Sequence, residues 1–255
     1  MSRLPIVITR PGERAAALAR AIEAEGFVVH RIDAMAQEFL ADTPDARFAW
    51  LNIDQFHKVV VISPAAAEGL IEALDRFWPQ LPQGLTLYAV GQATASVLYQ
   101  ALGVRVRVPP LGAGEETTEA LLALGSLQKL DHQRVLLVAG QGGRALLGDC
   151  LAARGARVTR LEVYRRRLLS LSPVNAQVLQ QAHYGALVVS SGEILEHLAR
   201  WCTEAALHQP LVVSSQRLAT LASKLGFRVP VVASGASPAA LAAAVARTCD
   251  PKDAE

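Results

Sequence analysis

The sequence has few of the features that mark disulfide-rich, membrane-spanning or nucleic-acid-binding proteins. Its three cysteines, Cys150, Cys202 and Cys249, are far apart and form no CxxC pair, which predicts neither a disulfide framework nor a zinc cluster. No apolar run approaches the roughly 18 residues that span a bilayer. The formal net charge of +2 gives little long-range attraction for polyanions. We therefore expect no membrane and no nucleic acid among its partners.

The beginning of the sequence has too little apolar length for a signal peptide. A short polar stretch at residues 1–5 leads into a brief apolar run, and Arg10-Pro11-Gly12 follows at once. Together with the unpaired cysteines, this predicts a protein of the reducing cytoplasm.

The spacings of several catalytic centres are also missing. The six histidines show no metal-ligand spacing, and no serine stands in a Gly-x-Ser-x-Gly context. Gly140-Gln141-Gly142-Gly143-Arg144 resembles a glycine-rich phosphate loop but lacks the lysine of a P-loop and the spacing of a dinucleotide fingerprint. We expect neither a metal nor a cofactor.

Short apolar runs alternate with amphipathic stretches, as in an α/β protein with parallel sheets. Residues 6–8 precede a helical pattern over 15–25, and residues 59–62 precede one over 65–77. Further strands are predicted at residues 85–90, 135–138, 187–189 and 211–213. Because these strands are nearly continuous in Val, Ile and Leu, helices should cover both faces of each sheet.

The strand and helix units form an internal repeat with the order A-B-C-A-B-C. Unit A carries Gly-x-Arg at its helix start, unit B ends its strand in serine, and unit C follows its strand with a polar turn. The first copies begin at residues 6, 60 and 89, and the second copies at residues 136, 188 and 212. The repeat predicts two similar α/β halves.

Two spacers, residues 33–54 and 165–173, lie between the units, and either of them could connect two domains. The second spacer opens with Arg165-Arg166-Arg167 directly after a predicted strand. These arginines form either a solvated strand end, which we favour, or a contact with a substrate.

Polar residues stand where each predicted strand gives way to a helix. Parallel α/β sheets bind ligands at the carboxyl ends of their strands. Helix starts offer unpaired N–H groups and the positive end of the helix dipole, which suit a ligand with many carboxylates. Alternatively, Ser63, Thr94, Ser190 and Ser215 only cap helices. The two roles are compatible.

Tyr164 ends the predicted strand after the glycine-rich segment, in Leu161-Glu162-Val163-Tyr164. A phenol at this place could donate a proton or a hydrogen bond to a departing hydroxyl. Because a phenol is a weak acid, it would act mainly through its position. The alternative is an aromatic side chain that anchors the strand at an interface.

Five short strings, in their order along the chain, resemble the uroporphyrinogen-III synthase family. They are Thr9-Arg10-Pro11, Val61-Ile62-Ser63-Pro64, Ala89-Val90-Gly91-Gln92-Ala93-Thr94-Ala95, Glu162-Val163-Tyr164 and Val189-Ser190-Ser191. The resemblance covers nearly the whole chain, and it depends on the order of the strings and on the repeat rather than on any single string.

The resemblance implies two flavodoxin-like α/β domains joined by a two-stranded connection, with the chain crossing between them twice. Residues 1–36 and 167–255 would form the first domain, and residues 37–166 the second. The two spacers fall at the crossings.

The resemblance also implies a set of site residues. Tyr164 corresponds to the tyrosine of the family and is the candidate catalytic residue. Gly91, Thr94, Ser63 and Ser190 correspond to further residues of the family. Together with the other helix starts and two arginines, the candidate substrate-binding residues are Arg10, Ser63, Gly91, Thr94, Gly142, Gly143, Arg144, Ser190, Ser191 and Ser215. A second Gly-x-Thr-Thr-Ala loop is replaced here by residues 215–219, so its threonine role does not transfer. Ser214, Ser215 or Arg217 would substitute for it.

The implied enzyme is a cyclising lyase of tetrapyrrole biosynthesis, serving haem, sirohaem or cobalamin. It would act without a cofactor on hydroxymethylbilane, whose hydroxyl leaves to give an azafulvene that ring D attacks. A spiro intermediate then recloses with ring D inverted. Because this substrate closes spontaneously without inversion, we expect the protein to act by holding its ends and conformation. We expect a monomer, with hand-over of the bilane from hydroxymethylbilane synthase.

Two other functions fit a two-lobed α/β chain. The first is a cytoplasmic small-anion-binding or sensor module without catalysis, although no helix-turn-helix pattern precedes the first strand. The second is a sugar-nucleotide transferase, which would be longer and would carry a recognisable nucleotide-binding acid. Fold analogy supports all three functions. The choice therefore depends on the set of strings, which favours the synthase.

Overall fold

Eleven strands and eleven α-helices lie in the described part of the chain, which in the computed structural model comprises residues 4–110, 117–143 and 145–249. The strands are β1 (Ile6–Ile8), β2 (Val29–Arg31), β3 (Met35–Phe39), β4 (Lys58–Val61), β5 (Thr86–Ala89), β6 (Val106–Arg107), β7 (Arg134–Gly140), β8 (Arg157–Leu168), β9 (Ala186–Val189), β10 (Pro210–Val213) and β11 (Val229–Val232). The helices are α1 (Glu13–Ala24), α2 (Pro44–Leu51), α3 (Pro64–Phe77), α4 (Gln92–Leu102), α5 (Thr118–Leu122), α6 (Leu146–Ala153), α7 (Pro173–Gln180), α8 (Gly192–Ala199), α9 (Glu204–Leu207), α10 (Gln216–Lys224) and α11 (Pro238–Thr248). Two short 3₁₀ helices span Ile53–Gln55 and Gly125–Leu127.

These elements form two compact units. The first unit combines the residues up to Ala36 with those from Arg167 onwards, and the second unit is Gln37–Arg166. The chain passes from one unit to the other within β3 and returns within β8.

Each unit contains one sheet whose central strands run parallel. In the first unit the described strands follow the order β11-β10-β9-β1-β2, with Ile8 opposite Val188. In the second the order is β3-β8-β7-β4-β5-β6, with Val61 opposite both Val138 and Ala89. The predicted α/β class with two parallel sheets is confirmed.

The two strand orders agree with the repeat seen in the sequence. From β2 onwards, the first sheet has the order β2-β1-β9-β10-β11. From β8 onwards, the second sheet has the order β8-β7-β4-β5-β6. Each strand therefore occupies the place of its repeat partner, and the two units are built alike.

Alternate strand residues pack into apolar clusters on opposite faces of each sheet. In β1, Val7 belongs to one cluster, whereas Ile6 and Ile8 belong to another. In β4, Val59 and Val61 pack on one face and Val60 on the other. Each of these side chains is at most 1% exposed, and full burial of one such side chain stabilises the fold by about 1.5–3 kcal/mol. Both faces are covered, as the continuous apolar strands predict.

The helices are short and begin mostly at serine or threonine caps. α3 has 14 residues, starts after Ser63 and carries Pro64 in its first turn, where proline loses no hydrogen bond. α11 repeats the same four-residue start, Ser-Pro-Ala-Ala, from Ser237. Within the described residues, no helix combines the length and the apolar character that a membrane crossing requires.

The two spacers between the repeat units are more structured than the sequence predicts. Residues 33–54 contain β3 and α2, and the three arginines lie inside β8 rather than after it. The prediction that the strand ends at Tyr164 was therefore wrong. Beyond Tyr164, β8 lacks the alternation of apolar and polar side chains by which a strand is recognised in a sequence. The exposed Arg165 instead donates hydrogen bonds to both carboxylate oxygens of Glu38, each at 3.1 Å.

Gly155 occupies a turn that other residues fit poorly. Its φ is +93°, and a Cβ would lie 2.6 Å from Oδ1 and 3.0 Å from Cα of Asp131. Gly155→Ala should lower the free energy of unfolding by roughly 2–4 kcal/mol through backbone strain and crowding. Gly148→Ala is the control, because a Cβ inside α6 meets only Leu137 at 3.6 Å. It should raise stability by about 0.5–1 kcal/mol. Equal urea midpoints for the two variants would contradict this interpretation of the turn.

Candidate functional site

The carboxyl edge of the second sheet brings together most of the candidate residues of that unit. Because Val61 pairs with Val138 and with Ala89, the residues that follow β4, β5 and β7 leave the sheet at the same edge. Ser63, Gly91 and the glycine-rich segment stand at these three strand ends. Arg144 lies outside the described residues.

Tyr164 is fixed at this edge by three contacts. Its hydroxyl lies 3.0 Å from Oγ of Ser63, and its carbonyl accepts a hydrogen bond of 2.7 Å from the amide of Gln141. The ring lies against Gly140, where a Cβ would stand only 2.5 Å from Cζ of the tyrosine. The side chain is 9% exposed. The phenol is therefore held in one place, as a group that acts by position requires.

Ser63 has two hydrogen-bond partners. Besides its contact with Tyr164, its Oγ accepts the amide of Ala66 at 3.2 Å and caps α3. The helix start and the phenol thus meet at one hydroxyl group.

Arg160 of β8 donates hydrogen bonds to two carbonyl groups of the glycine-rich segment. Its Nη2 donates to the carbonyls of Gly140 at 3.4 Å and Gly143 at 3.3 Å, and its Nε lies 3.5 Å from a carboxylate oxygen of Glu162. Gly142 has φ +74°, which favours glycine. Among the described residues, the amides of Gly142 and Gly143 have no hydrogen-bond acceptor. These two amides can therefore serve an anion.

Gly91 and Thr94 lie at the start of α4. Gly91 is the N-cap and has no side chain to close the cap. Thr94 stands in the first turn with its side chain 3% exposed. Among the described residues, the amides of Ala93 and Thr94 have no hydrogen-bond acceptor and are available to a ligand, although Thr94 itself is almost wholly buried.

In the first unit, Arg10 and Ser190 come together at the carboxyl edge of the sheet. Nε of Arg10 donates to Oγ of Ser190 at 3.2 Å. Burial and, secondarily, the nearby Arg14 lower the pKa of Arg10. An anion placed here would relieve the repulsion between the two guanidinium groups. Thr9, next to Arg10, donates to the carbonyl of Val188 at 3.0 Å.

The capping interpretation holds for some of the serines and not for others. Ser63 and Ser215 cap α3 and α10, as does Ser191 for α8. Ser190 bonds Arg10 instead, and Thr94 lies inside α4. The cap equivalent to Ser63 in the repeat is therefore Ser191.

A groove of about 590 Å³ lies in the second unit, beside the carboxyl edge of its sheet. Its charged lining residues are Asp42, Asp45, Glu72, Arg76, Arg160 and Glu162. Four carboxylates thus face two guanidinium groups, and Arg76 is already paired with Asp42 at 2.8 Å. The groove repels a polycarboxylate, which leaves the strand-to-helix turns as the better anion site.

The sequence did not lead us to propose Gly140, Arg160 or Thr9 as site residues, although Gly140 and Thr9 stand in strings named above. Gly140 could have been found as a glycine ending a buried strand, which often marks a close approach of another group. Nothing in the sequence connects Arg160 with a segment 17 to 20 residues before it. In residues 4–110, 117–143 and 145–249, no three His, Cys, Asp or Glu side chains form a group that could hold a metal ion.

The family model described as uroporphyrinogen-III synthase HemD matches residues 16–243. The chain belongs to the uroporphyrinogen-III synthase family. The uroporphyrinogen-III synthase of Escherichia coli (strain K12) is 33% identical over 247 residues, which are 93% of this chain and 98% of that protein. The resemblance found in the sequence is thus confirmed.

Solved structures of uroporphyrinogen-III synthases share the fold. A mutant of the enzyme from the extremely thermophilic bacterium Thermus thermophilus matches with a TM-score of 0.60 at 21% identity, over 96% of this chain and 98% of that one. The enzyme from Helicobacter pylori 26695 matches with a TM-score of 0.57 at 15% identity, over 96% and 99%.

Gly140 should be essential to the placement of Tyr164. Gly140→Ala would push a Cβ into the phenol ring and move the hydroxyl away from Ser63. We expect synthase turnover to fall at least tenfold, because small misplacements of an oriented group are costly. Gly125→Ala is the control, since a Cβ there meets nothing within 4 Å. Full activity of Gly140→Ala in a steady-state assay would show that the Tyr164 ring does not need the space that Gly140 leaves.

Proposed function

We propose that this member of the uroporphyrinogen-III synthase family converts hydroxymethylbilane into uroporphyrinogen III, with loss of water and inversion of ring D. The observation that carries the proposal is the Tyr164 hydroxyl. It is held by Ser63 at the sheet edge where β7 ends in the glycine-rich segment. A proton donor thus stands beside backbone groups suited to carboxylates.

In each unit, the strand-to-helix turns at the carboxyl edge of the sheet offer groups that suit the acetate and propionate side chains of the substrate. In the second unit these are the turn at Gly91 and Thr94 and the segment containing Gly142, Gly143 and Arg144, whereas the hydroxyl of Ser63, a candidate binding group in the sequence, is engaged by Tyr164 and Ala66. In the first unit they are Arg10, Ser190, Ser191 and Ser215. Helix starts and guanidinium groups both favour anions, so many modest contacts would hold the bilane in one conformation.

Tyr164 is the proposed proton donor. It passes its proton to the terminal hydroxyl of the bilane, the C–O bond breaks, and water leaves with the bonding electron pair. Ring D then attacks the resulting azafulvenium cation, which keeps its pyrrole N–H, through its substituted carbon, and the spiro intermediate fragments and recloses. The proton that the macrocycle finally loses restores the phenol. No external oxidant or reductant is needed.

Several further features belong to this proposal because they follow from the resemblance. Each compact unit is a domain of the enzyme, and the protein acts as a cytoplasmic monomer. It takes the bilane from hydroxymethylbilane synthase before the bilane closes spontaneously. Rapid spontaneous closure makes such a hand-over useful.

An isomer assay tests the proposed function. Purified protein receives freshly made hydroxymethylbilane without added metal or cofactor, and the oxidised products are separated by chromatography. We expect isomer III well above the background of isomer I. Isomer I alone would contradict the proposal and favour an anion-binding module.

The same assay tests the role of Tyr164 with a matched pair of variants. Tyr164→Phe removes only the hydroxyl and should lower kcat roughly ten- to a hundredfold, within the usual range for a positioned acid or somewhat below it. Tyr99→Phe should have no effect, because Tyr99 is 62% exposed on α4 and belongs to no site. Equal turnover of the two variants would remove Tyr164 from the mechanism.

A further inference from the structure

We propose that Ser63 is a positioning residue that aims the Tyr164 proton. Its hydroxyl donates to Oη of Tyr164, so that the phenol proton points away from the serine and towards the substrate. The serine also couples the phenol to the N-terminus of α3. This inference rests on the proposed function, because it presupposes that Tyr164 donates a proton to the bilane.

The proposed direction of the hydrogen bond follows from the partners of Ser63. A serine hydroxyl has one proton and two acceptor positions. The amide of Ala66 occupies one acceptor position at 3.2 Å, and an amide cannot accept the serine proton in return. The other partner of this hydroxyl is Oη of Tyr164, at 3.0 Å. Either hydroxyl could donate at this distance, and the proposed direction, from serine to phenol, continues the chain that starts at the amide.

The ring of Tyr164 has little freedom to choose another orientation. Gly140 lies against its Cζ and Oη, and the amide of Gln141 holds its carbonyl. With the oxygen fixed, the main remaining variable is the direction of the phenol proton. Ser63 sets that direction by filling one acceptor position of the oxygen.

The same contact stabilises the charge that develops in the reaction. When the phenol proton passes to the leaving hydroxyl, the C–O bond breaks and water departs. The phenolate that remains accepts the proton of Ser63 as a hydrogen bond. The positive end of α3, a helix of 14 residues, lies directly behind this hydroxyl and favours negative charge. The proton that the macrocycle releases on closure then returns to Oη.

Ser63→Ala should lower kcat about tenfold and change KM less than twofold. A residue that acts through Tyr164 has no further effect once the phenol is gone, so Ser63→Ala should change nothing in a Tyr164→Phe background. Ser63→Thr retains the hydroxyl and should keep most of the activity. Steady-state kinetics of the four single and double variants with hydroxymethylbilane gives these values.

Ser237→Ala separates the loss of a helix cap from the loss of the phenol contact. Ser237 starts α11 with the same Ser-Pro-Ala-Ala sequence and caps the amide of Ala240 at the same 3.2 Å. Both alanine variants lose one cap and should lower the melting temperature by a similar few degrees. Only Ser63→Ala should lose turnover.

The possible results separate this inference from the proposed function. Reduced turnover in Tyr164→Phe with full turnover in Ser63→Ala overturns the inference alone. An equal loss from Ser63→Ala in the presence and absence of the phenol overturns it as well. Unchanged turnover in Tyr164→Phe overturns the inference together with the proton-donor role of Tyr164, whereas only the formation of isomer I alone by the unaltered protein overturns the proposed function.

Discussion

Burial of both faces of each parallel sheet constrains everything else in this molecule. Val7 and Ile8 pack on opposite faces and are at most 1% exposed, as are Val60 and Val61. Unpaired polar groups are costly in such an interior, so polar chemistry is confined to the strand ends. There the backbone leaves the sheet, and helix starts offer free amides. The candidate site is therefore mostly an edge of turns, to which β8 adds the side chain of Tyr164 from within the strand.

The repeat gives the two units the same edge but different functional groups. Ser63 and Ser191 both cap the helix after the corresponding strand. β8 continues to Leu168, whereas its repeat partner β2 ends at Arg31 after three residues. In the described part of the chain, the first unit therefore has no counterpart of Tyr164 at its edge. It presents the Arg10–Ser190 pair instead, so the phenol belongs to one unit and the half-buried guanidinium to the other.

The strands, the repeat and most candidate residues could be predicted because apolar periodicity is a local signal. Tyr164 and Ser63 were both recognisable, but the contact between them joins residues 101 positions apart. The full lengths of β3 and β8 were missed because these two strands pair with each other and show little alternation of apolar residues in the sequence. Gly140 and Arg160 act through contacts between neighbouring strands. The burial of Thr94 depends on how α4 packs, which its position in a motif does not reveal.

Backbone hydrogen exchange with an unreactive bilane that lacks the terminal hydroxyl tests most directly whether the turns bind the substrate. The account predicts slower exchange at the amides of residues 91–94, 141–143, 190–192 and 215–217, with little change elsewhere in either sheet. Protection confined to the acidic groove around Asp42 and Arg76, with these turns unaffected, would contradict it.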